Sequence, residues 1–348
     1  MSANERPGVY TSYRVSSTLA GRAGNGAVGL AACVASGTVG QATELNTYAE
    51  AVAAYGENCA MTKLVKVLFQ NGAPKIIATP VLAGSGTATG AAYTAAFALL
   101  MTKNEVRCMV CDSREASVHA LLKNAIEGAA SESCKYRIGV AEMSGTAAAL
   151  ASAASALNSE RIALVAPAEN AGTPGAVAAA VAGIITGSPD PALPLNGAVL
   201  AGLSALSGSF SDADIAALVT GGVTPVETVG GEISVVRAVT TRSTTAGVAD
   251  ATWRELATIL IVDDVIPAVR DSLRSRFARV KNTAQTRGAI RTQVILELER
   301  KLAAQIIESY AGVTAEAAVG DPTVCDVSFE FTVAHGLNKI NLVAHITV

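Results

Sequence analysis

Strand-like and helix-like segments alternate between residues 74 and 186, and this alternation constrains the fold more than any other feature. Short apolar runs rich in β-branched residues are each followed by a run whose apolar residues have helical spacing. Repeated units of this length favour a parallel sheet with right-handed crossovers and helices on its faces. The predicted strands are Lys75–Val81, Val106–Cys111, Tyr136–Ala141 and Arg161–Pro167, and the predicted helices are Ala91–Thr102, Ala116–Ala130, Thr146–Leu157 and Pro174–Thr186.

An arm and a shorter mixed segment precede this α/β region. Residues 1–20 are rich in Thr, Ser, Val and Tyr, so they can form a strand but have little to bury alone. The Gly-rich Gly21–Gly29 is predicted to be a flexible connector, and Leu30–Ser36 a buried strand. Helices are predicted at Tyr48–Tyr55 and Met61–Asn71.

The C-terminal third contains a predicted hairpin followed by two predicted helices. Val223–Val229 and Glu232–Val239 flank a Gly-Gly pair that suits a two-residue turn. Trp253–Arg279 has a broad apolar side, and Pro267 is expected to kink or split this helix. Gly288–Tyr310 carries apolar residues four positions apart and is predicted to be the second helix.

The last stretch has the pattern of a further hairpin. Val324–Val333 alternates apolar and polar residues, Leu342–Val348 begins a second such run, and His335–Lys339 supplies turn residues between them. A terminal strand must pair, because an unpaired row of N–H and C=O groups is an open edge. The local pattern leaves open whether the final strand pairs within its own subunit or with a neighbouring one.

Composition argues against two classes of partner. The net charge is −3 and only 4% of the residues are aromatic, so neither nucleic acid nor an anionic membrane surface is indicated. The most apolar runs, 91–101 and 176–185, are shorter than the ~18 residues that a membrane span needs. The first residues lack the apolar region of a signal peptide, so synthesis in the cytoplasm without membrane insertion is predicted.

One loop offers a competing function. Gly84–Gly90 lies between a predicted strand and a predicted helix, where a dinucleotide-binding loop belongs. Its glycines have relative positions 1, 3 and 7, whereas the dinucleotide fingerprint has them at 1, 3 and 6. Asp112 is the only acidic residue placed to bind a ribose. A tight connection is the favoured interpretation, and a soluble α/β nucleotide-binding enzyme is the alternative.

No catalytic or metal motif is complete. Asp112, His119 and Ser144 follow the chain order of a subtilisin-type triad, but no nucleophile elbow is present and the first two are only seven positions apart. Asp112 is better explained as part of the N-cap region of the next helix, and His119 as a partly exposed helix residue. Cys108 and Cys111 have metal-type spacing without a second pair. We therefore expect no enzyme activity, no cofactor and no metal.

A basic band near residues 270–291 is the remaining polar feature, and Asp271 is its only acidic residue. A solvated helix face is one interpretation, and a docking surface for an acidic protein is another. Nucleic acid is less favoured, because few aromatic residues are nearby to stack bases. The band consists of Arg270, Arg274, Arg276, Arg279, Lys281, Arg287 and Arg291.

Four stretches of the sequence are distinctive: Arg6–Tyr10, the hairpin GGVTPVETVGGEISVVRAVTT at 221–241, WRELATILIVDDVIPAVRDSLRSRF at 253–277, and the ending VAHGLNKINLVAHITV. Together they resemble the contractile tail sheath proteins of phages and of related bacteriocins and prophage remnants. The likeness is most specific over residues 221–348. The resemblance implies a structural subunit that stacks in rings around an inner tube, in a phage tail or phage-tail-like particle, and contracts to drive the tube through a cell envelope. It also implies baseplate and tail terminator proteins as partners.

The resemblance also implies a fold and a division of the chain. The fold class is α/β, with a central subtilisin-like parallel-sheet sheath domain that lacks protease motifs. An α+β C-terminal domain of two helices and a small sheet is completed by exchanged terminal strands. The expected divisions are a 1–20 arm, a 21–73 segment packing with the C-terminal domain, a 74–220 α/β domain, a 221–339 C-terminal domain and a 340–348 strand arm.

Strand exchange and tube docking follow from the same resemblance. The donated N-terminal arm contains Pro7, Gly8, Val9, Tyr10, Val15 and Leu19, and the donated C-terminal strand contains Ile340, Leu342, Ala344, Ile346 and Val348. The acceptor strand contains Val327, Phe329, Phe331 and Val333. Tube docking is assigned to Arg270, Arg274, Arg276, Arg279 and Lys281.

Overall fold

A computed structural model describes residues 19–21, 24, 26–35, 39–82, 88–170 and 172–345. Within them, eight strands form one sheet in the order β2-β3-β1-β4-β5-β6-β7-β8. The six inner strands are parallel, and β2 and β8 pair antiparallel at the two edges. The strands are β1 (Ala27–Val34), β2 (Thr43–Leu45), β3 (Ile76–Leu82), β4 (Val106–Cys111), β5 (Ile138–Glu142), β6 (Ile162–Ala166), β7 (Val223–Val229) and β8 (Glu232–Val235).

Helices cover both faces of this sheet, as the alternating sequence pattern predicts. The helices α2, α6 and the start of α8 pack on one face with strand residues such as Leu30 and Val110. The helices α3 and α4 pack on the other face with Ala31 and Met109, and α5 and α7 continue that layer. The helices are α1 (Tyr48–Tyr55), α2 (Ala60–Gln70), α3 (Gly90–Thr102), α4 (Ala116–Ser133), α5 (Ala147–Leu157), α6 (Ala176–Gly187), α7 (Asp212–Thr220), α8 (Leu256–Arg276) and α9 (Ala284–Ala303).

Two segments belong to the large sheet rather than to the C-terminal part. Residues 21–73 are expected to pack with the C-terminal domain, but β1 lies between β3 and β4 in the sheet. The hairpin after residue 221 likewise adds β7 parallel to β6 and β8 at the edge. Both placements result from pairing between strands far apart in the sequence, which local patterns do not encode. The connector predicted at Gly21–Gly29 is shorter than predicted, because β1 already begins at Ala27. Gly29 lies inside β1, where an added Cβ would come within 3.0 Å of the Val106 side chain.

The C-terminal part differs from prediction at Pro267 in its first helix and at the end of its second helix. The helix α8 is continuous, with Pro267 inside it, so the predicted split is wrong. The predicted helix Gly288–Tyr310 is wrong at its C-terminal end, because α9 stops at Ala303 and Gln305 has a φ of +58°. The chain then forms β11 (Ile307–Ala317), which pairs antiparallel with β12 (Cys325–Val333). A short ladder of β9 (Thr244–Thr245) and β10 (Val248–Ala249) precedes α8.

A buried ion pair attaches α8 to the large sheet. The Arg161 guanidinium, just before β6, donates from Nη1 to Oδ2 of Asp263 at 2.8 Å and from Nη2 to Oδ1 at 3.0 Å. Both side chains are largely buried. Fork-to-fork pairs of this kind fix orientation as well as distance, so α8 is held in one register against the sheet. In the described residues, no helix is long and apolar enough to span a membrane.

Candidate interaction site

The strands β11 and β12 form a two-stranded ribbon, the name used below for Ile307–Ala317 with Cys325–Val333. Its inner face carries Val313, Val327, Phe329 and Phe331, which pack against a buried cluster on α8 and α9. The acceptor side chains predicted from the resemblance therefore lie on the helix-facing side. The strand β12 alternates half-buried and exposed residues along its whole length, as its apolar-polar pattern predicts.

The ribbon has two edges that pair with no other strand among the described residues. The strand β11 pairs only with β12, and the ladder ends where the Ala334 N–H donates to the Ile306 carbonyl at 3.3 Å. Of the two pairings that the sequence left open for the final segment, the local hairpin with Val324–Val333 is not formed by the described residues, because residues 334–345 form no strand. Open edges of this length are templates for an additional strand.

The chain after β12 is an exposed apolar tail. Residues 334–345 form no strand, and Ile346 and Val348 lie outside the described residues. Leu342 is 90% exposed and Ile340 is 78% exposed. Near its start, the tail contacts the α/β domain, where the Nδ2 of Asn196 donates to Oδ1 of Asn338 at 2.5 Å. Apolar side chains this exposed mark a surface that another element covers.

Most of the predicted N-terminal donor residues, namely Pro7, Gly8, Val9, Tyr10 and Val15, lie outside the described residues. Leu19 is described and packs against the core of its own subunit. Its carbonyl accepts the N–H of Tyr48 at 2.9 Å, and Ala20 bridges to Thr47. These contacts fit an anchor for the arm rather than a donated residue.

The basic band divides into two groups. Arg287 and Arg291 are engaged locally, since Arg287 donates to the Asn282 side chain at 3.0 Å and Arg291 to the Val313 carbonyl at 2.8 Å. Arg270 contacts Asp271, at 3.6 Å, and the Cys134 carbonyl. The other predicted docking residues are exposed and form no salt bridge within the described part of the chain: Arg274, Arg276, Arg279 and Lys281.

The residues considered for catalysis are used for structure. Both carboxylate oxygens of Asp112 accept hydrogen bonds, from the Tyr93 hydroxyl at 2.7 Å and the Cys33 N–H at 2.6 Å. The predicted cap role of Asp112 is wrong, because α4 begins after Glu115. His119 is buried rather than partly exposed, and its Nε2 lies 2.9 Å from the Ser113 carbonyl oxygen.

The two cysteines on β4 are not arranged to bind a metal ion together. Cys108 packs on one face of the sheet and Cys111 on the other, since strand side chains alternate. Burial raises the pKa of both thiols to about 12, so neither supplies a thiolate at neutral pH. In the described residues, no three His, Cys, Asp or Glu side chains form a metal-binding group.

The strand β11 is the element that sequence reasoning missed, whereas β12 is predicted by the sequence. Ile306 and Tyr310 continue the four-residue apolar spacing of α9, so the start of β11 is locally compatible with a helix. The β-branched Val313 and Thr314 after Gly312 are the signal that favours a strand.

Comparisons with known proteins agree with this architecture. Residues 86–241 match the phage tail sheath protein central domain, and residues 248–347 match the phage tail sheath C-terminal domain. Among curated protein sequences, none shows significant similarity to the chain.

Solved structures share the whole fold at low sequence identity. A chain of the anti-feeding prophage baseplate has 17% identity and a TM-score of 0.78, covering 99% of this chain and 100% of that chain. The contracted helical sheath of the same particle has 17% identity and a TM-score of 0.72, with 99% of each chain covered. The sheath tail protein of Desulfitobacterium hafniense has 12% identity and a TM-score of 0.70, covering 94% of this chain and 100% of that one.

These findings support neither a protease nor the nucleotide-binding alternative. The two domain matches follow one another and together span well over half of the chain, including strands β4 to β8 of the large sheet, α8, α9 and the ribbon. The chain therefore belongs to the phage tail sheath protein family.

Proposed function

We propose that this protein is a structural sheath subunit that polymerises around an inner tube and contracts to drive the tube through a cell envelope. The observation that carries the proposal is the ribbon with two open edges, followed by an exposed apolar tail. One subunit thus offers both a template for strand addition and a segment able to fill such a template. As a sheath subunit it needs no catalytic residue and no bound cofactor.

Neighbouring subunits are linked in this proposal by exchanged terminal strands. The arm before Leu19 and the tail from Ile340 to Val348 each add to a ribbon of another subunit, next to β11 or β12. Each main-chain hydrogen bond contributes about 1 kcal/mol net, and burial of apolar tail residues adds about 25 cal/mol per Å². Several such bonds per strand keep subunits joined while whole domains move.

The proposed partners are other copies of this chain, the inner tail tube protein, the baseplate and the tail terminator. The particle is a phage tail or a phage-tail-like injection machine that assembles in the bacterial cytoplasm. The domain scheme retains the 1–20 arm, the 340–348 strand arm and a C-terminal domain that ends at 339. The placement of β1, β2, β7 and β8 in one sheet favours a single central domain from about residue 21 to the end of the hairpin.

Removing the tail tests the strand exchange. Deletion of residues 340–348 is expected to abolish tubes and rings in electron micrographs, because the donor strand is lost. Circular dichroism of the shortened protein is expected to match that of the full chain, since the deleted residues that the structure describes form no strand. Normal tubes from the deletion variant would contradict the exchange, and a strictly monomeric full-length protein at high concentration would contradict polymerisation.

The exposed part of the basic band is proposed to dock on the tube. Reversing Arg276, Arg279 and Lys281 to Glu is expected to weaken co-sedimentation with tube protein by about tenfold or more, because like charges at a contact cost several kcal/mol. Polymerisation of the sheath alone is expected to persist. Lys63→Glu with Lys66→Glu, on the exposed side of α2, is the control for a change of charge alone. Unchanged tube binding would remove this assignment.

A further inference from the structure

The outer face of the ribbon is acidic. Glu308, Glu316, Asp326 and Glu330 are all exposed, and neither strand of the ribbon contains a Lys or an Arg. In the register of the ladder, Glu316 lies directly opposite Asp326.

This arrangement is unfavourable in an isolated subunit. Like charges directly opposite each other on antiparallel strands destabilise the pair. Within the described residues, none of the four acidic side chains forms a salt bridge. A cationic surface placed against the ribbon would remove the repulsion, so the face has the chemistry of a contact with a basic partner.

The same chain carries a basic cleft of about 430 Å³ next to α8. Its lining includes Arg107 from β4, Lys135 from the segment before β5, and Arg270 and Arg274 from α8. Asp271 is the only acidic residue in the lining, and it lies 3.6 Å from Arg270. In the described part of the chain, Arg107, Lys135 and Arg274 have no carboxylate within salt-bridge distance.

A buried cation lies in the wall of this cleft. Arg137 is 1% exposed, and its guanidinium donates to the carbonyls of Met101, Lys103 and Val106. Burial, together with the nearby charge of Arg107, lowers its pKa to about 10, so it still carries its charge at neutral pH. No carboxylate among the described residues pairs with it. Carbonyl partners satisfy its donors without neutralising its charge, so an incoming acidic group would be stabilised here.

The two surfaces lie on opposite sides of α8. Val265 and Val269 belong to the cluster that holds the ribbon, whereas Pro267, Arg270 and Arg274 line the cleft. The acidic face of the ribbon is also the face turned away from the helices. A subunit therefore cannot pair its own two surfaces, but one copy can present its ribbon to the cleft of the next.

We propose that the acidic outer face of the ribbon docks onto the basic cleft of a second copy of this chain. The inference rests on the proposed self-assembly and adds a side-chain contact to the main-chain strand exchange. Because the two patches differ, the contact is heterologous, and repeating it produces a ring or an open helical array rather than a two-fold dimer. The contact sets which neighbour a subunit meets and in what register.

Charge reversal on each surface tests the proposal. Glu316→Lys with Asp326→Lys, and separately Arg107→Glu with Lys135→Glu, are each expected to raise the critical concentration for tube formation by about tenfold or more. Neither Arg107 nor Lys135 belongs to the proposed tube-docking set. With all four substitutions both surfaces are close to neutral, so the defect is expected to be about as large as in either double variant and smaller than the product of the two defects.

Controls separate this contact from general charge effects. Glu57→Lys with Glu232→Lys, and Lys63→Glu with Lys66→Glu on α2, change exposed charges outside both surfaces and are expected to assemble normally. Sedimentation and micrographs give the critical concentration, and circular dichroism checks the fold. A four-substitution defect equal to the product of the two double-variant defects, or reversed variants that assemble like the controls, would overturn the contact while leaving self-assembly intact. A wild-type chain that forms no tubes would overturn the proposed function and this contact together.

Discussion

Buried polar residues at the carboxyl ends of the strands hold the α/β domain in one arrangement. The Glu142 side chain is fully buried, and it accepts from Nε of Arg114 at 2.8 Å and from the Val177 N–H at 2.7 Å. The buried imidazole of His119 lies at the same edge of the sheet, next to the Ser113 carbonyl. Groups of this kind specify a unique structure when all their partners are present.

His119 makes stability depend on pH. Burial lowers its pKa below the ordinary value, against the smaller opposing effects of the hydrogen bond with the Ser113 backbone and of the Glu115 charge. Because the pKa in the folded state is lower than in the unfolded chain, the stabilising contribution is complete above about pH 6.5 and is lost as the pH falls below it. One proton limits this slope to about 1.4 kcal/mol per pH unit.

The His119→Gln variant keeps a donor for Ser113 and cannot titrate. Its free energy of unfolding, measured in denaturant, is therefore expected to fall less between pH 7.5 and pH 5.5 than that of the wild type. If the free energy of unfolding of this variant fell as steeply with pH as that of the wild type, the pH dependence would not come from His119. His345→Gln, at an exposed position in the tail, is the control.

The ribbon depends on its inner face more than on its ladder, because a two-stranded sheet is marginally stable alone. Phe329 and Phe331 have ring centroids 6.2 Å apart, and both contact the cluster on α8 and α9. The ribbon therefore exists as a docked element whose edges stay open.

Phe331→Ala is expected to loosen the ribbon while the large sheet stays folded. Removing a half-buried aromatic side chain costs about 2 kcal/mol, somewhat less than for a fully buried one. Hydrogen exchange is expected to accelerate at β11 and β12 and to stay unchanged at β1 and β4. Thr332→Ala, on the exposed face of the same strand, is the matched control. Equal protection in the two variants would show that the ladder alone holds the ribbon.

At the scale of the molecule, a rigid α/β domain carries a smaller unit with open edges and an extended tail. The two edges of the large sheet are protected, because β2 at one edge has only three residues and residues 197–200 hydrogen-bond along β8 at the other. The ribbon has no such protection in the described residues, so pairing with other chains is confined to the C-terminal part.

Contraction is expected to proceed without nucleotide. The proposed extended state is metastable, and its free energy is released in one cooperative rearrangement of whole subunits. Heating assembled sheath–tube particles is expected to shorten them in a single step, seen by calorimetry and by particle length in micrographs. Adding ATP or NAD is expected to leave the midpoint unchanged. A nucleotide-dependent midpoint would favour the enzyme alternative.

Local sequence patterns predict most single elements of this protein. The strand β4 begins and ends as predicted, and α1 does too, because apolar periodicity reports which side of an element is buried. All of the N-terminal residues considered for exchange except Leu19, and residues 84–87 of the Gly-rich loop before α3, lie outside the described residues, so the exchange residues there stay a prediction.

Pairing between distant segments decides the rest. The strand β1 takes a central place because Val28 to Val34 hydrogen-bond with strands more than 40 residues away. Tyr310 continues the four-residue apolar spacing of α9, yet it lies in a strand because residues 325–333 pair with residues 307–317. Strand pairing and face-to-face packing are properties of the folded chain, whereas periodicity is a property of each segment. The sequence therefore indicates the elements and the family. The tertiary structure decides that the edges of the large sheet are protected and those of the ribbon are not, and it decides where the acidic face of the ribbon and the basic cleft lie.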